Sequence, residues 1–289
     1  MTEFTDRFWT SRDGLKLHYR DYPANGQGGM DRPPVLCLPG LTRNARDFEA
    51  LAARLAGDWR VICPEMRGRG DSAYAKDSAS YNPLQYADDL AMLFDEAGIE
   101  RFVVIGPSLG GLLTMILAMM GPQRIAGAVL NDIGPVIEEA GLSRIRNYVG
   151  QGRSFPTWMH AARALAETQG AAFPDNSIAD WLAMAKRVMV VSGNGRVAFD
   201  YDMKIAEPFA QPAGVAVADM WPGIDALAGR PVLFLRGGLS DILSAQTLAE
   251  MVQRVAGAEA VTIANVGHAP MLDEPEALAA IDRLLARIA

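Results

Sequence analysis

Gly106-Pro107-Ser108-Leu109-Gly110-Gly111 is the segment that most narrows what this chain can fold into, because it joins a short apolar strand pattern (residues 101–105) directly to an apolar helical pattern (residues 112–120). A chain that turns from extended to helical within so few residues leaves its serine on the turn, with the hydroxyl exposed at the carboxyl edge of a sheet. The flanking glycines are needed because side chains there would collide with neighbouring backbone. Residues 102–120 are also long and uncharged enough to suggest a membrane span, but Gly106, Pro107, Gly110 and Gly111 interrupt the first half. The pattern therefore reads as a buried strand followed by a buried helix.

The flanking sequence repeats this alternation. Residues 4–10 and 15–19 bracket Arg12-Asp13-Gly14, a hairpin signal, since Asp-Gly accepts the positive φ of a tight turn. Strand patterns at 35–38, 59–63, 102–105 and 125–131 alternate with helical patterns at 45–56, 83–97 and 109–120. Asn82 followed by Pro83 marks a helix start, a capping side chain with proline at the first helical position. Apolar strands alternating with helices imply a mostly parallel central sheet covered by helices on both faces.

After Asp132 the alternation stops, and residues 134–229 read as helical or irregular. It resumes with strands near 232 and 261, a helix at 245–255 and a closing helix at 275–288. The expected organisation is a core of residues 1–133 and 230–289 with a helical lid, residues 134–229, inserted after the sixth strand. At 289 residues and 50% hydrophobic composition the chain can bury such a core.

Two further strand ends carry polar residues. Residues 231–236 run into Gly237-Gly238-Leu239-Ser240-Asp241, and residues 260–264 run into Asn265-Val266-Gly267-His268. Serine, aspartate and histidine thus follow one another in the chain order that accompanies a serine nucleophile on a strand-turn-helix elbow. On these three motifs the chain resembles the α/β-hydrolase fold superfamily, in particular its lid-bearing esterase and lactonase-like members, over nearly its whole length.

The resemblance implies Ser108 as nucleophile, His268 as base and Asp241 as the acid that orients the imidazole, with cleavage of a small carboxylic ester or lactone through an acyl-serine. It implies an oxyanion hole from the backbone N–H groups of Leu109 and Leu41, the latter in Leu38-Pro39-Gly40-Leu41. Asp132 also ends a strand where some superfamily members carry the acid; the Asp241 loop is nearer the usual pattern, which leaves Asp132 as a lid-hinge or capping residue. Pro39 stands where many members have histidine, and Pro107 where a residue with an N–H is usual. Residues 65–72 resemble the superfamily's D-x-R-G-x-G-x-S loop, with Glu65 for the leading aspartate, and read as a structural turn near the site.

Alternatives with the same triad are hydrolysis of carbon–carbon bonds in vinylogous diketones, which Ala269 after His268 disfavours, and a ligand-binding homologue without turnover. Specificity is expected in the lid. Trp158, Trp181, Trp221, Phe155, Phe199, Phe209, Tyr148, Tyr201, Met159, Met184, Met189 and Met203 supply an apolar lining, most of them expected at their helical spacing in the lid's own core rather than against substrate, and Arg144, Arg146 and Arg153 are candidate carboxylate anchors or solvated helix positions.

The other titratable residues are few. His18, alternating with Lys16 and Arg20, is expected on the polar face of a strand, and His160 on a helix surface. No histidine shows ligand spacing, so neither a metal nor another cofactor is expected. Cys37 and Cys63 lie in apolar strands and read as buried free thiols. The formal net charge of -7 argues against nucleic acid. The first ten residues lack the apolar core of a secretory signal, and no interfacial anchor is evident, so a cytoplasmic protein without a membrane partner is expected, acting on a small apolar acyl substrate.

Overall fold

Side chains alternating along each strand sort into two separate apolar layers, and this sorting builds the core. In the computed structural model, which describes residues 3–25, 31–210 and 219–288, the main sheet contains β1 (Thr5–Thr10), β2 (Lys16–Tyr22), β3 (Val35–Cys37), β4 (Val61–Pro64), β5 (Phe102–Pro107) and β6 (Ile125–Asn131). A small sheet follows, made of β7 (Ser154–Phe155), β8 (Met189–Val191) and β9 (Val197–Phe199), before β10 (Val232–Gly237) and β11 (Glu259–Ile263) complete the main one. Leu36, Val104, Leu130 and Phe234 face one layer, whereas Val35, Cys37, Val103, Val129 and Leu233 face the other. A period of two along each strand produces this division.

The main sheet has the order β1-β2-β4-β3-β5-β6-β10-β11. The β1–β2 and β2–β4 pairs are antiparallel, and the pairs from β4–β3 to β10–β11 are parallel. The first layer holds residues of α2 (Pro83–Glu96), α3 (Leu109–Met120), α8 (Trp221–Asp225) and α9 (Ala245–Arg254), and the second those of α1 (Glu49–Leu55) and α10 (Pro275–Leu285). The Asn82 side chain accepts from Gln85 N–H at the start of α2, with Pro83 as its first residue. Gly14, at φ 86°, makes the β1–β2 turn.

Between β6 and β10 the chain forms α4 (Glu139–Tyr148), α5 (Trp158–Gln169), α6 (Ile178–Val188) and α7 (Glu207–Ala210) together with the antiparallel sheet β7-β9-β8. The small sheet lies in a stretch expected to be helical or irregular, and its two- and three-residue strands are too short to show a period of two in the sequence. Buried residues of α5, α6 and β7–β9 form an apolar cluster of their own, Ala161, Leu165, Trp181 and Met184 among them. Cys37 and Cys63 are both buried and free, and burial pushes the Cys63 thiol well up. Among the described residues no helix is long and apolar enough to cross a membrane.

Candidate active site

The serine turn is held under strain. Ser108 sits at φ 51° and ψ -116°, between the end of β5 and the first residue of α3. A Cβ on Gly106 would run into the backbone of Gly110, and one on Gly110 into the carbonyl oxygen of Leu38, so helix and strand approach as closely as backbone allows. Ser108 N–H donates to Asn131 O at 3.0 Å, tying the turn to the end of β6. Four described non-glycine residues have positive φ: Ser108, Asp132, Asn265 and Leu272. Ser108 and Asp132 belong to the hydrogen-bonded trio below, and the other two bracket the loop that carries His268, so the backbone strain concentrates at one place.

His268 Nε2 lies 2.9 Å from Ser108 Oγ, and its Nδ1 lies 2.8 Å from Asp132 Oδ2. The partner of His268 is therefore Asp132 and not Asp241. Asp132 is fully buried, and its Oδ1 accepts from Gly237 N–H at 2.8 Å while its Oδ2 also accepts from Ser240 Oγ at 2.6 Å. Asp241 instead meets Arg144 in a two-pronged ion pair at 2.6 and 2.8 Å, with both side chains one-third exposed. The Arg144 hydrogen bonds hold the Asp241 carboxyl below its usual range, against the opposing effect of partial burial. Asp132 is thus part of the hydrogen-bond chain through His268, and the end of β10 and the loop after it supply donors to its carboxylate, Gly237 N–H and Ser240 Oγ, rather than the carboxylate itself.

The loop after β3 passes over the nucleophile: a Cβ on Gly40 would lie 3.2 Å from Arg43 Cγ and 3.8 Å from Ser108 Cβ. Leu41 lines the same cavity as Ser108 and His268. Leu109 opens α3, so its N–H has no acceptor within the helix and stands at the helix's positive end. Buried Arg69 donates from Nε to Leu41 O at 2.9 Å, and Glu65 Oε1 accepts from Ala45 N–H at 3.1 Å. Residues 65–72 thus brace the loop that carries Leu41. Asn131 was not legible as a site residue; its Nδ2 donates to Pro270 O at 2.8 Å and anchors the His268 loop to the β6 end.

A cavity of about 150 Å³ opens at Ser108 and His268. Of the aromatic and methionine residues singled out as cavity lining or lid core, Tyr148, Phe155, Phe199, Tyr201, Met184 and Met189 line it, as does Pro107. Trp158, Trp181, Trp221, Met159 and Met203 do not; Trp181 packs on Phe173 inside the insertion, and Trp221 lies under the Arg254 guanidinium. The side chain of Phe209 lies outside the described residues. Arg146 pairs with Glu139 and Arg144 with Asp241, leaving Arg153 as the member of that group on the cavity wall. His160 is exposed and bonds the helix-capping Thr157.

His18 differs from its expected surface position. It is 1% exposed, with Nδ1 2.9 Å from Glu65 Oε2 and Nε2 2.9 Å from Asp6 Oδ1, because residues 65–72 fold over that face of β2. Burial works against its charged form, but hydrogen bonds and attraction from Glu65 and Asp6 outweigh it and raise its pKa above 6.5. Burial likewise opposes the Glu65 carboxylate, and His18 together with the Asp71 and Ala45 N–H groups holds its pKa below the usual value. His18, Glu65 and Asp71 bring potential ligand atoms within 4.8 Å of one another. Both Glu65 oxygens are already used, however, in bonds to His18, Asp71 N–H and Ala45 N–H, which makes this cluster a hydrogen-bonded brace.

A pH dependence follows, with a definite sign. A pKa raised in the folded state adds stability that is complete below the unfolded value of about 6.5 and disappears as pH rises through the folded value. The urea midpoint should therefore fall between pH 6 and pH 9 by more in the parent protein than in His18→Gln. Equal pH slopes for the two proteins would refute the role of His18.

The family model described as alpha/beta hydrolase fold matches residues 33–275. A 3-hydroxybutyrate-oligomer hydrolase of Cupriavidus necator is 34% identical over 270 residues, covering 91% of each chain. An esterase of Mycobacterium tuberculosis is 29% identical over 264 residues, 88% of this chain and 83% of its own. Among solved structures, an alpha/beta hydrolase from Novosphingobium aromaticivorans is 64% identical with a TM-score of 0.95, covering 100% of both chains. With the parallel sheet, the strained serine turn and the His268 loop in place, the chain belongs to the α/β-hydrolase fold family and is a hydrolase.

Proposed function

We propose that this hydrolase cleaves small carboxylic esters through an acyl-serine intermediate, with Ser108, His268 and Asp132 as the triad. The observation that carries this reading is the continuous hydrogen-bond chain from Ser108 Oγ through both imidazole nitrogens to a buried carboxylate. Ser108 Oγ attacks the ester carbonyl carbon while His268 Nε2 takes its proton, and buried Asp132 stabilises the imidazolium that forms. The N–H groups of Leu109 and Leu41 receive the charge that develops on the carbonyl oxygen. Collapse of the tetrahedral species expels the alcohol, which takes the proton from His268. Water, deprotonated by His268, then attacks the acyl carbon and releases the acid and Ser108.

Residues 134–229 act in this reading as a lid. They supply Tyr148, Phe155, Met184 and Phe199 to the cavity wall, while the core supplies the reacting groups. A cavity of about 150 Å³ accommodates a short acyl chain rather than a long one. The similarity to the Cupriavidus necator oligomer hydrolase makes soluble esters of short hydroxy acids the first substrates to assay.

The test is a series of 4-nitrophenyl esters from acetate to palmitate, alongside dimers and trimers of 3-hydroxybutyrate. Cleavage in solution, with kcat/KM highest for short chains, is expected. A profile that climbs to palmitate and jumps when the substrate emulsifies would overturn the short-ester reading, and no release from any ester would overturn ester hydrolysis itself.

A further inference from the structure

Charge is unevenly placed on this protein. The chain carries a formal net charge of -7, yet the charged side chains on the cavity wall are Arg43, Asp47 and Arg153, one carboxylate against two guanidinium groups. Arg43 is neutralised in place: Nη2 donates to Asp47 Oδ1 at 2.8 Å and Nε donates to Asp47 Oδ2. Arg153 has no such partner, and no carboxylate among the described residues forms an ion pair with it. Its guanidinium carbon lies 5.6 Å from the centre of the Phe155 ring, a buried residue of the same wall. Resting a guanidinium on an aromatic face positions it while leaving its N–H edge free for an anion.

We propose that Arg153 binds a carboxylate carried by the substrate, so that the preferred substrates are esters ending in a free carboxylate group, such as monoesters of short dicarboxylic acids or hydroxy-acid esters. This rests on the ester-hydrolase reading for turnover, though not for binding. A neutral ester fills the apolar wall formed by Phe155, Phe199 and Met184 equally well. An anionic one gains in addition a charge-assisted hydrogen bond to a planar donor that has no competing carboxylate. Arg153 is exposed, so the gain is moderate and weakens with salt.

The test compares 4-nitrophenyl hydrogen glutarate with the uncharged 4-nitrophenyl valerate in the parent, Arg153→Gln, Arg153→Lys and Arg146→Gln proteins. The ratio of kcat/KM for the charged over the neutral ester should fall about tenfold in Arg153→Gln, chiefly through KM. It should recover in part in Arg153→Lys and stay at the parental value in Arg146→Gln, whose arginine pairs with Glu139 away from the cavity. In the parent it should shrink as salt is raised. A ratio that is the same in Arg153→Gln as in the parent would overturn the proposal.

A second measurement needs no turnover: calorimetric binding of glutarate to Ser108→Ala should be lost in Ser108→Ala/Arg153→Gln. Equal glutarate affinity in the two proteins, or none in either, counts against Arg153. Failure of both nitrophenyl esters to react in the parent, with glutarate still bound through Arg153, would sink the ester reading alone.

Discussion

Ser108→Ala should leave the fold intact and lower kcat on short esters by roughly four to six orders of magnitude, with His268→Ala costing about the same and the double variant little more. Nucleophile and base work as one unit, so removing either abolishes the same step, and what remains comes from binding and the backbone donors. Alanine lacks the hydroxyl, and the turn stays pinned by the Ser108 N–H bond to Asn131 O and by the glycines around it. Burst kinetics with a 4-nitrophenyl ester, together with mass spectrometry of the trapped acyl-enzyme, would check the result. Parental turnover by well-folded Ser108→Ala would remove covalent catalysis at this residue.

The second large effect separates the two aspartates. Asp132→Asn should reduce kcat by about 10⁴-fold, because an amide in place of the buried carboxylate neither holds the required imidazole tautomer nor stabilises its charged form. Asp241→Asn should cost only a few-fold, since that carboxylate is one-third exposed and engaged with Arg144. Ser240→Ala should fall between them: its hydroxyl is one of three donors on the Asp132 carboxylate, and the Gly237 N–H remains. Circular dichroism and thermal melts of each variant would separate loss of chemistry from loss of fold. If Asp241→Asn were the more damaging change while both proteins stayed folded, Asp132 would not be the triad acid.

Much of this enzyme is legible in its chain alone. Strand-helix alternation places the parallel sheet, because apolar strands that must be covered on both faces leave few other arrangements. The glycines around Ser108 announce a turn too tight for side chains, and the scarcity of histidines singles out His268 as the candidate base. These are local properties, written in spacing and composition within short windows of the chain.

The carboxylate that bonds His268 lay beyond that reach. Ser…Asp…His is the chain order whether the aspartate is Asp132 or Asp241, so order cannot choose between them. Strands β6 and β10 are parallel neighbours, with Asn131 beside Leu235, and the loops that follow both open at the same edge near His268. Asp132 prevails because it turns to positive φ one residue past β6 and is buried beneath the Gly237 and Ser240 donors, whereas Arg144, arriving from the insertion, draws Asp241 away. His18 shows the same limit: its strand alternation is polar, but residues 65–72 cover it from far along the chain and supply Glu65 as its partner. Arg153 also depends on distant chain for its place on the cavity wall with Ser108. Periodicity records which face of an element a residue occupies; which distant segment comes to cover that face, and with what charge, is settled when the whole chain packs.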